Sequence, residues 1–87
     1  MKIIKTNDFQ RTFSKLPKDV QNLYAKQEKH FIENCKDPRL HIKKVQSLEY
    51  ALSFRTTSRY RVFFYFQNSE TAIFFEIGHR KDIHRKI

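Results

Sequence analysis

The chain has 87 residues, among them nine phenylalanines, four tyrosines and one cysteine, and its formal net charge is +9 at pH 7. This length suits a single domain over residues 1–87; one cysteine excludes an intrachain disulfide and a paired-cysteine zinc site, and no segment approaches the roughly 18 apolar residues of a membrane span. We therefore expect a cytoplasmic protein without membrane contact, and the excess of lysine and arginine favours a polyanionic or acidic partner.

The N-terminal segment carries the pattern of a strand followed by a short helix. Residues 2–6, KIIKT, are typical of a β-strand. Asn7 with Gln10 three residues later resembles a helix N-cap and its partner. Phe9 and Phe13 are four residues apart, so they fall on one face of the helix that should follow.

A second, longer helix is predicted after Pro17, since proline suits the first turn of a helix. The apolar residues between Val20 and Cys35 recur at the helical period, with charged side chains between them. Residues 34–38 should end this helix. Residues 39–48 fit no period and are predicted as a basic connecting loop with at most a short strand.

The period changes to two in the second half of the chain, which indicates strands over residues 50–55, 60–66 and 71–79. The short turns TTSR and QNSE between them predict an antiparallel meander. The fold class is therefore α+β: an N-terminal strand, a two-helix hairpin and a three-stranded antiparallel meander, with the helices on one sheet face. The other face carries aromatic residues beside Arg61, and it is predicted as a surface that RNA or a protein covers.

Basic residues cluster where these strands begin and end. Arg55 ends one strand, Arg61 begins the next, and His79 and Arg80 follow where the third runs out, so the meander should bring them to one edge of the sheet. Cleavage of RNA by its 2′-hydroxyl needs proton acceptors and donors and fixed positive charge near the phosphate. Arginine suits the fixed charge, and histidine suits the proton transfers. A metal site at His79 and His84 is disfavoured because their spacing of five misses the helical pairing.

The order of these segments resembles the RelE/ParE superfamily of toxins from bacterial and archaeal type II toxin–antitoxin systems, closest in pattern to the RelE-like mRNA interferases. The resemblance covers nearly the whole chain, and its most specific pieces are LSFR ending at Arg55, YRV at 60–62 and GHRKDI at 78–83. It implies a fold similar to microbial ribonucleases, with a helical hairpin against an antiparallel sheet. It also implies inhibition by a small antitoxin that wraps the sheet and helices.

The resemblance also implies a set of site residues. Arg61 matches the catalytic strand arginine of the family, Arg80 matches the arginine after the last strand, and His84 stands where a terminal tyrosine is common. With His79 these form the predicted catalytic set. The predicted RNA-binding residues are Arg55, Lys43, Lys44, Lys81 and Arg85.

Two features depart from the family pattern. The strand that carries lysines in RelE has Ala51 and Ser53 here, so the proton acceptor of that scheme is missing, and Lys43, Lys44 or His41 are its candidate substitutes. The usual L-x-G before that strand reads VQS.

The function that the resemblance implies is that of a toxin, a metal-independent endoribonuclease that cuts mRNA in the ribosomal A site, needs no cofactor and is neutralised by a cognate antitoxin. Two alternatives share this fold. One is a ParE-type DNA gyrase inhibitor without nuclease activity. The other is a relative that binds the antitoxin but has lost catalytic power.

Overall fold

The computed structural model describes residues 1–79. In chain order its elements are β1 (Lys2–Lys5), α1 (Asn7–Ser14), α2 (Lys18–Glu33), a 3-10 helix (Pro38–Leu40), β2 (Lys43–Lys44), β3 (Leu52–Arg55), β4 (Tyr60–Asn68) and β5 (Thr71–His79). The predicted α+β order is confirmed, and the connecting loop contains both a 3-10 helix and a two-residue strand. Neither α1 nor α2 is long and apolar enough to cross a membrane.

The strands form one mixed five-stranded sheet in the order β1-β5-β4-β3-β2. β3, β4 and β5 form the predicted antiparallel meander. β2 extends it at one edge, and β1 adds to the other edge by pairing in parallel with β5. The N-terminal strand therefore forms one edge of the sheet by pairing with residues nearly seventy positions later in the chain.

The hydrophobic core lies between the helices and the sheet face that we call the inner face. Phe31 of α2 is fully buried there, and its ring lies 5.5 Å from that of Phe54 and 5.1 Å from those of Phe64 and Phe74. Phe9 of α1 joins the same cluster. Large aromatic side chains gain most from burial, so these rings hold both helices against one face and leave the opposite, outer face for other contacts.

Helix α1 begins one residue earlier than the sequence pattern indicates. Its N-cap is Thr6, whose hydroxyl accepts a hydrogen bond from the Phe9 amide at 3.1 Å, so the expectation that Asn7 caps the helix is wrong. The Thr6 hydroxyl also donates to the Phe75 carbonyl at 3.2 Å. Gln10 does reach back, but its amide donates to the Lys5 carbonyl at 3.0 Å. Thr6 is favoured over Asn7 as the N-cap because its hydroxyl also bonds to β5.

A bulge at Phe75 sets which side chains of β5 face the helices. Phe64 pairs with Phe74 while Phe63 pairs with Glu76, so one extra residue of β5 stands between them. Phe74 and Ile77 are consequently both buried on the inner face, although they are three residues apart. In an unbroken strand they would point to opposite faces.

Candidate functional site

A cationic groove lies on the outer face, where β2, β3 and β4 meet. Its volume is about 490 Å³, and its lining includes the cations Lys43, Lys44, Arg55 and Arg61 together with Ser53 and Phe63. No acidic side chain of residues 1–79 belongs to the lining. A groove with four cations and no carboxylate is suited to a polyanion.

Arg61 is the most firmly held of these cations. Its Nε donates to the Ser53 hydroxyl at 2.9 Å, and one terminal nitrogen donates to the His41 carbonyl at 2.7 Å and the Ser53 carbonyl at 3.3 Å. These bonds fix the plane of the guanidinium group. A fixed guanidinium presents its donors to phosphate oxygens with little loss of conformational entropy.

The His41 carbonyl reaches Arg61 because the backbone of His41 is left-handed, with φ 49° and ψ 55°. His41 is the one non-glycine residue within 1–79 that has a positive φ. This conformation costs about 1–2 kcal/mol for a residue with a Cβ atom. This conformation ends the 3-10 helix and directs the His41 carbonyl toward the groove. The strained backbone of His41 thereby positions an acceptor for Arg61.

Hydrogen bonds on both sides hold the turn formed by the 3-10 helix and His41. Arg39 and Asp37 form an ion pair at 2.7 Å, and the hydrogen bonds from Arg39 lower the pKa of Asp37 to about 2. On the other side, the Gln27 amide donates to the Arg39 carbonyl at 2.9 Å and to the Arg55 carbonyl at 2.7 Å. Gln27 thus fastens helix α2 to both the turn and the end of β3.

Strand pairing places two further cations beside Arg61. Arg55 lies directly opposite Arg61, and Lys43 lies directly opposite Ser53. Side chains at directly opposed positions point to the same sheet face, with Cβ atoms about 5 Å apart. Lys43 therefore lines the groove opposite Ser53, one of the two positions at which the sequence lacks a lysine expected from the family pattern.

The described residues of the predicted site fall into two groups. Arg55, Arg61, Lys43 and Lys44 do meet at one groove. His79 lies at the same end of the sheet but on the inner face, opposite Tyr60, with the two rings 5.4 Å apart. His79 thus reaches the same edge of the sheet as Arg61, as expected, but the bulge at Phe75 reverses the alternation of β5 and places its side chain on the other face. The predicted Arg80, Lys81, His84 and Arg85 lie outside the described residues.

Three contributions to the groove were missed from the sequence: the Ser53 hydroxyl, the His41 carbonyl and the Gln27 amide. For Ser53 a signal was present, because it is a small polar residue between Leu52 and Phe54 and shares the sheet face of Arg55. The other two depend on the path of the loop. Among residues 1–79 there is no group of three or more His, Cys, Asp or Glu that is able to hold a metal ion.

Solved structures of toxins share this architecture over almost the whole chain. The RelB–RelE antitoxin–toxin complex from Methanococcus jannaschii matches with a TM-score of 0.66 and 24% identity, covering 97% of this chain and 98% of that chain. The chain has the RelE toxin fold.

Two further structures of the RelE fold are similar in shape but more distant in sequence. The YoeB/ParE toxin from Agrobacterium tumefaciens has a TM-score of 0.76 at 9% identity, covering 92% of this chain and 99% of that one. YafQ from Escherichia coli has a TM-score of 0.76 at 12% identity, covering 93% and 94%. No protein-family model and no curated protein matches the sequence.

Proposed function

We propose that this protein is the toxin of a type II toxin–antitoxin system and that it cleaves mRNA without a metal ion. The observation that carries the proposal is the orientation of Arg61 by Ser53 and the His41 carbonyl inside a groove with three further cations. An oriented guanidinium among further cations is complementary to a phosphate that gains charge during a reaction. The RelE fold and the sequence resemblance support the same assignment.

The proposed reaction is the attack of an RNA 2′-oxygen on the adjacent phosphorus. A bond forms between the 2′-oxygen and phosphorus, the bond from phosphorus to the 5′-oxygen breaks, and a cyclic phosphate and a 5′-hydroxyl result. The 2′-hydroxyl loses one proton, and the leaving oxygen gains one. Arg61 and Arg55 stabilise the charge on the phosphorane in this scheme. Arg80 is proposed as a further phosphate ligand and His84 as the group that moves a proton.

The proposed partners follow from the structural neighbours and the sequence resemblance. One neighbour is a RelB–RelE complex, and another is a DinJ–YafQ complex from E. coli. We propose by analogy that a cognate antitoxin neutralises this protein in the cytoplasm. Its proposed substrate is mRNA in the ribosomal A site.

The proposal is tested by single-turnover cleavage of mRNA on programmed ribosomes in magnesium, and of free RNA with and without EDTA. We expect cleavage of the ribosome-bound message in magnesium, a rate about 100-fold lower for Arg61→Ala, and no effect of EDTA on any cleavage of free RNA. Arg59→Ala is the matched control, because Arg59 is exposed in the β3–β4 turn two residues away, and it should cut like the wild type. Circular dichroism checks that each variant is folded.

A folded Arg61→Ala protein that cuts at the wild-type rate would remove this residue from the mechanism. If the wild type cuts neither substrate but inhibits DNA gyrase, the ParE-type alternative replaces the proposal. If it is inert in both assays, the alternative of an attenuated relative holds.

A further inference from the structure

Four aromatic side chains form a continuous cluster on the outer face, which we call the aromatic platform: Tyr50, Phe63, Tyr65 and Phe75. The Tyr65 ring lies 5.5 Å from that of Tyr50 and 5.8 Å from that of Phe75, and the rings of Phe63 and Phe75 are 6.5 Å apart. Tyr50 is 62% exposed, whereas Phe63 is buried. Tyr50 is therefore the most exposed ring of the platform, and the half-buried rings of Tyr65 and Phe75 lie beside it.

The platform continues directly from the cationic groove. Phe63 belongs to both, because it lines the groove and also contacts Phe75. Along β4, Tyr65 is four residues from Arg61, which corresponds to about 13 Å at the rise of a strand. An RNA strand with one phosphate at Arg61 therefore reaches the tyrosine rings within a few nucleotides.

Charge on the outer face favours a nucleic acid over a neutral peptide. Lys43, Lys44, Arg55 and Arg61 flank the platform at the groove. Glu76 is the acidic residue of β5 on this face, and its carboxylate accepts a hydrogen bond from the Ile77 amide at 3.1 Å. Aromatic rings next to a cationic track are the arrangement that binds single strands, since bases stack on the rings while cations hold the phosphates.

We propose that single-stranded RNA crosses the outer face with phosphates in the cationic groove and bases stacked on Tyr50 and Tyr65. The inference rests on the proposed function in taking RNA as the ligand. It adds a base-binding subsite away from the phosphate that is cut. Stacking makes each occupied ring contribute about tenfold to the affinity, with little dependence on which base is present.

The test uses the whole protein and a 2′-O-methyl RNA oligonucleotide, which binds but lacks the attacking hydroxyl. A second oligonucleotide carries abasic residues in place of its bases and keeps every phosphate. Because the chain has four tyrosines and no tryptophan, tyrosine fluorescence is observable, and quenching that is lost in a tyrosine variant is assigned to the ring removed. The variants are Tyr50→Leu and Tyr65→Leu. The matched control is Phe66→Leu, which removes an exposed aromatic ring on the inner face of the same strand.

We expect each tyrosine variant to bind the normal oligonucleotide about tenfold more weakly and the abasic one like the wild type, with Phe66→Leu unchanged on both. Wild-type affinity of both tyrosine variants for RNA would overturn the proposal. The proposal would also be overturned if these variants still bound RNA but no longer bound the cognate antitoxin, because the aromatic platform would then be a protein-binding surface. The oligonucleotides cannot be cut, so this experiment measures binding alone. Its outcome is therefore independent of whether the protein proves to be a nuclease.

Discussion

Arg55 and Arg61 lie directly opposite each other on β3 and β4, and both side chains are on the outer face of the sheet. Like charges at directly opposed positions destabilise a strand pair by tenths of a kcal/mol to about 1 kcal/mol. The stability of the fold therefore does not account for two arginines at these opposed positions. In the proposed function the pair binds a phosphate, whose negative charge is attracted to both arginines.

The first prediction concerns this pair. Arg55→Gln should raise the free energy of unfolding by about 0.5 kcal/mol, because it relieves the repulsion of Arg61. The same change should weaken RNA binding and lower the slope of log affinity against log salt by about one, because one phosphate contact is lost. Urea denaturation and a salt titration measure the two effects. Arg59→Gln is the control, and an equal change in salt slope for Arg59→Gln would contradict a specific role for Arg55.

The second prediction separates orientation from charge at Arg61. Ser53→Ala removes the acceptor of the Arg61 Nε hydrogen bond and leaves the guanidinium charge in place. The single-turnover cleavage rate should fall about tenfold, the scale of one hydrogen bond to a charged group, while the affinity for uncleavable RNA changes little.

Ser53→Thr keeps the hydroxyl and should recover most of that rate. Ser69→Ala, in the β4–β5 turn, is the control and should be silent. If affinity and rate fall together in Ser53→Ala and threonine restores neither, Ser53 acts through packing and not through Arg61.

The third prediction tests the cap of helix α1. Thr6→Ala should lower the free energy of unfolding by about 1–2 kcal/mol, because the hydroxyl both caps the helix and donates to Phe75. Asn7→Ala should be close to neutral, since Asn7 is already the first helical residue. Urea denaturation of both variants measures the difference. A larger loss for Asn7→Ala than for Thr6→Ala would mean that the cap is Asn7 after all.

The fourth prediction concerns the pH dependence of stability at Tyr24. Burial, and then the hydrogen bond of its hydroxyl to Glu28 at 2.8 Å, raise the pKa of Tyr24. The folded protein thus holds the phenol proton more tightly than the unfolded chain, whose tyrosine pKa is about 10. The stabilisation is complete below that pH and is lost as the pH rises above it, by about 1.4 kcal/mol per pH unit.

Tyr24→Phe should remove this part of the pH dependence, because phenylalanine has no proton to lose. Urea denaturation of both proteins at about pH 9 and about pH 11 isolates the contribution, since every other group titrates in both. If the two proteins lose the same stability between these values, ionisation of Tyr24 does not limit the fold at high pH.

Much of the architecture was determined by the sequence alone, because it depends on local periodicity. Phe9 and Phe13 four residues apart, and the alternation around Leu52 and Val62, require particular faces to be buried, and hydrophobic burial then enforces the helices and the meander. The clustering of Arg55 with Arg61 also follows from the sequence, because a short turn joins their strands and pairs their ends.

Only the tertiary structure decided the features that depend on distant or irregular contacts. The parallel pairing of β1 with β5 joins segments at opposite ends of the described chain, and the choice of Thr6 over Asn7 as the cap depends on that same contact with β5. The bulge at Phe75 placed His79 on the inner face, away from Arg61, because one extra residue reverses the alternation of every side chain beyond it. The alternation of residues along β5 does not reveal that shift, because a bulge is a feature of the pairing between two strands.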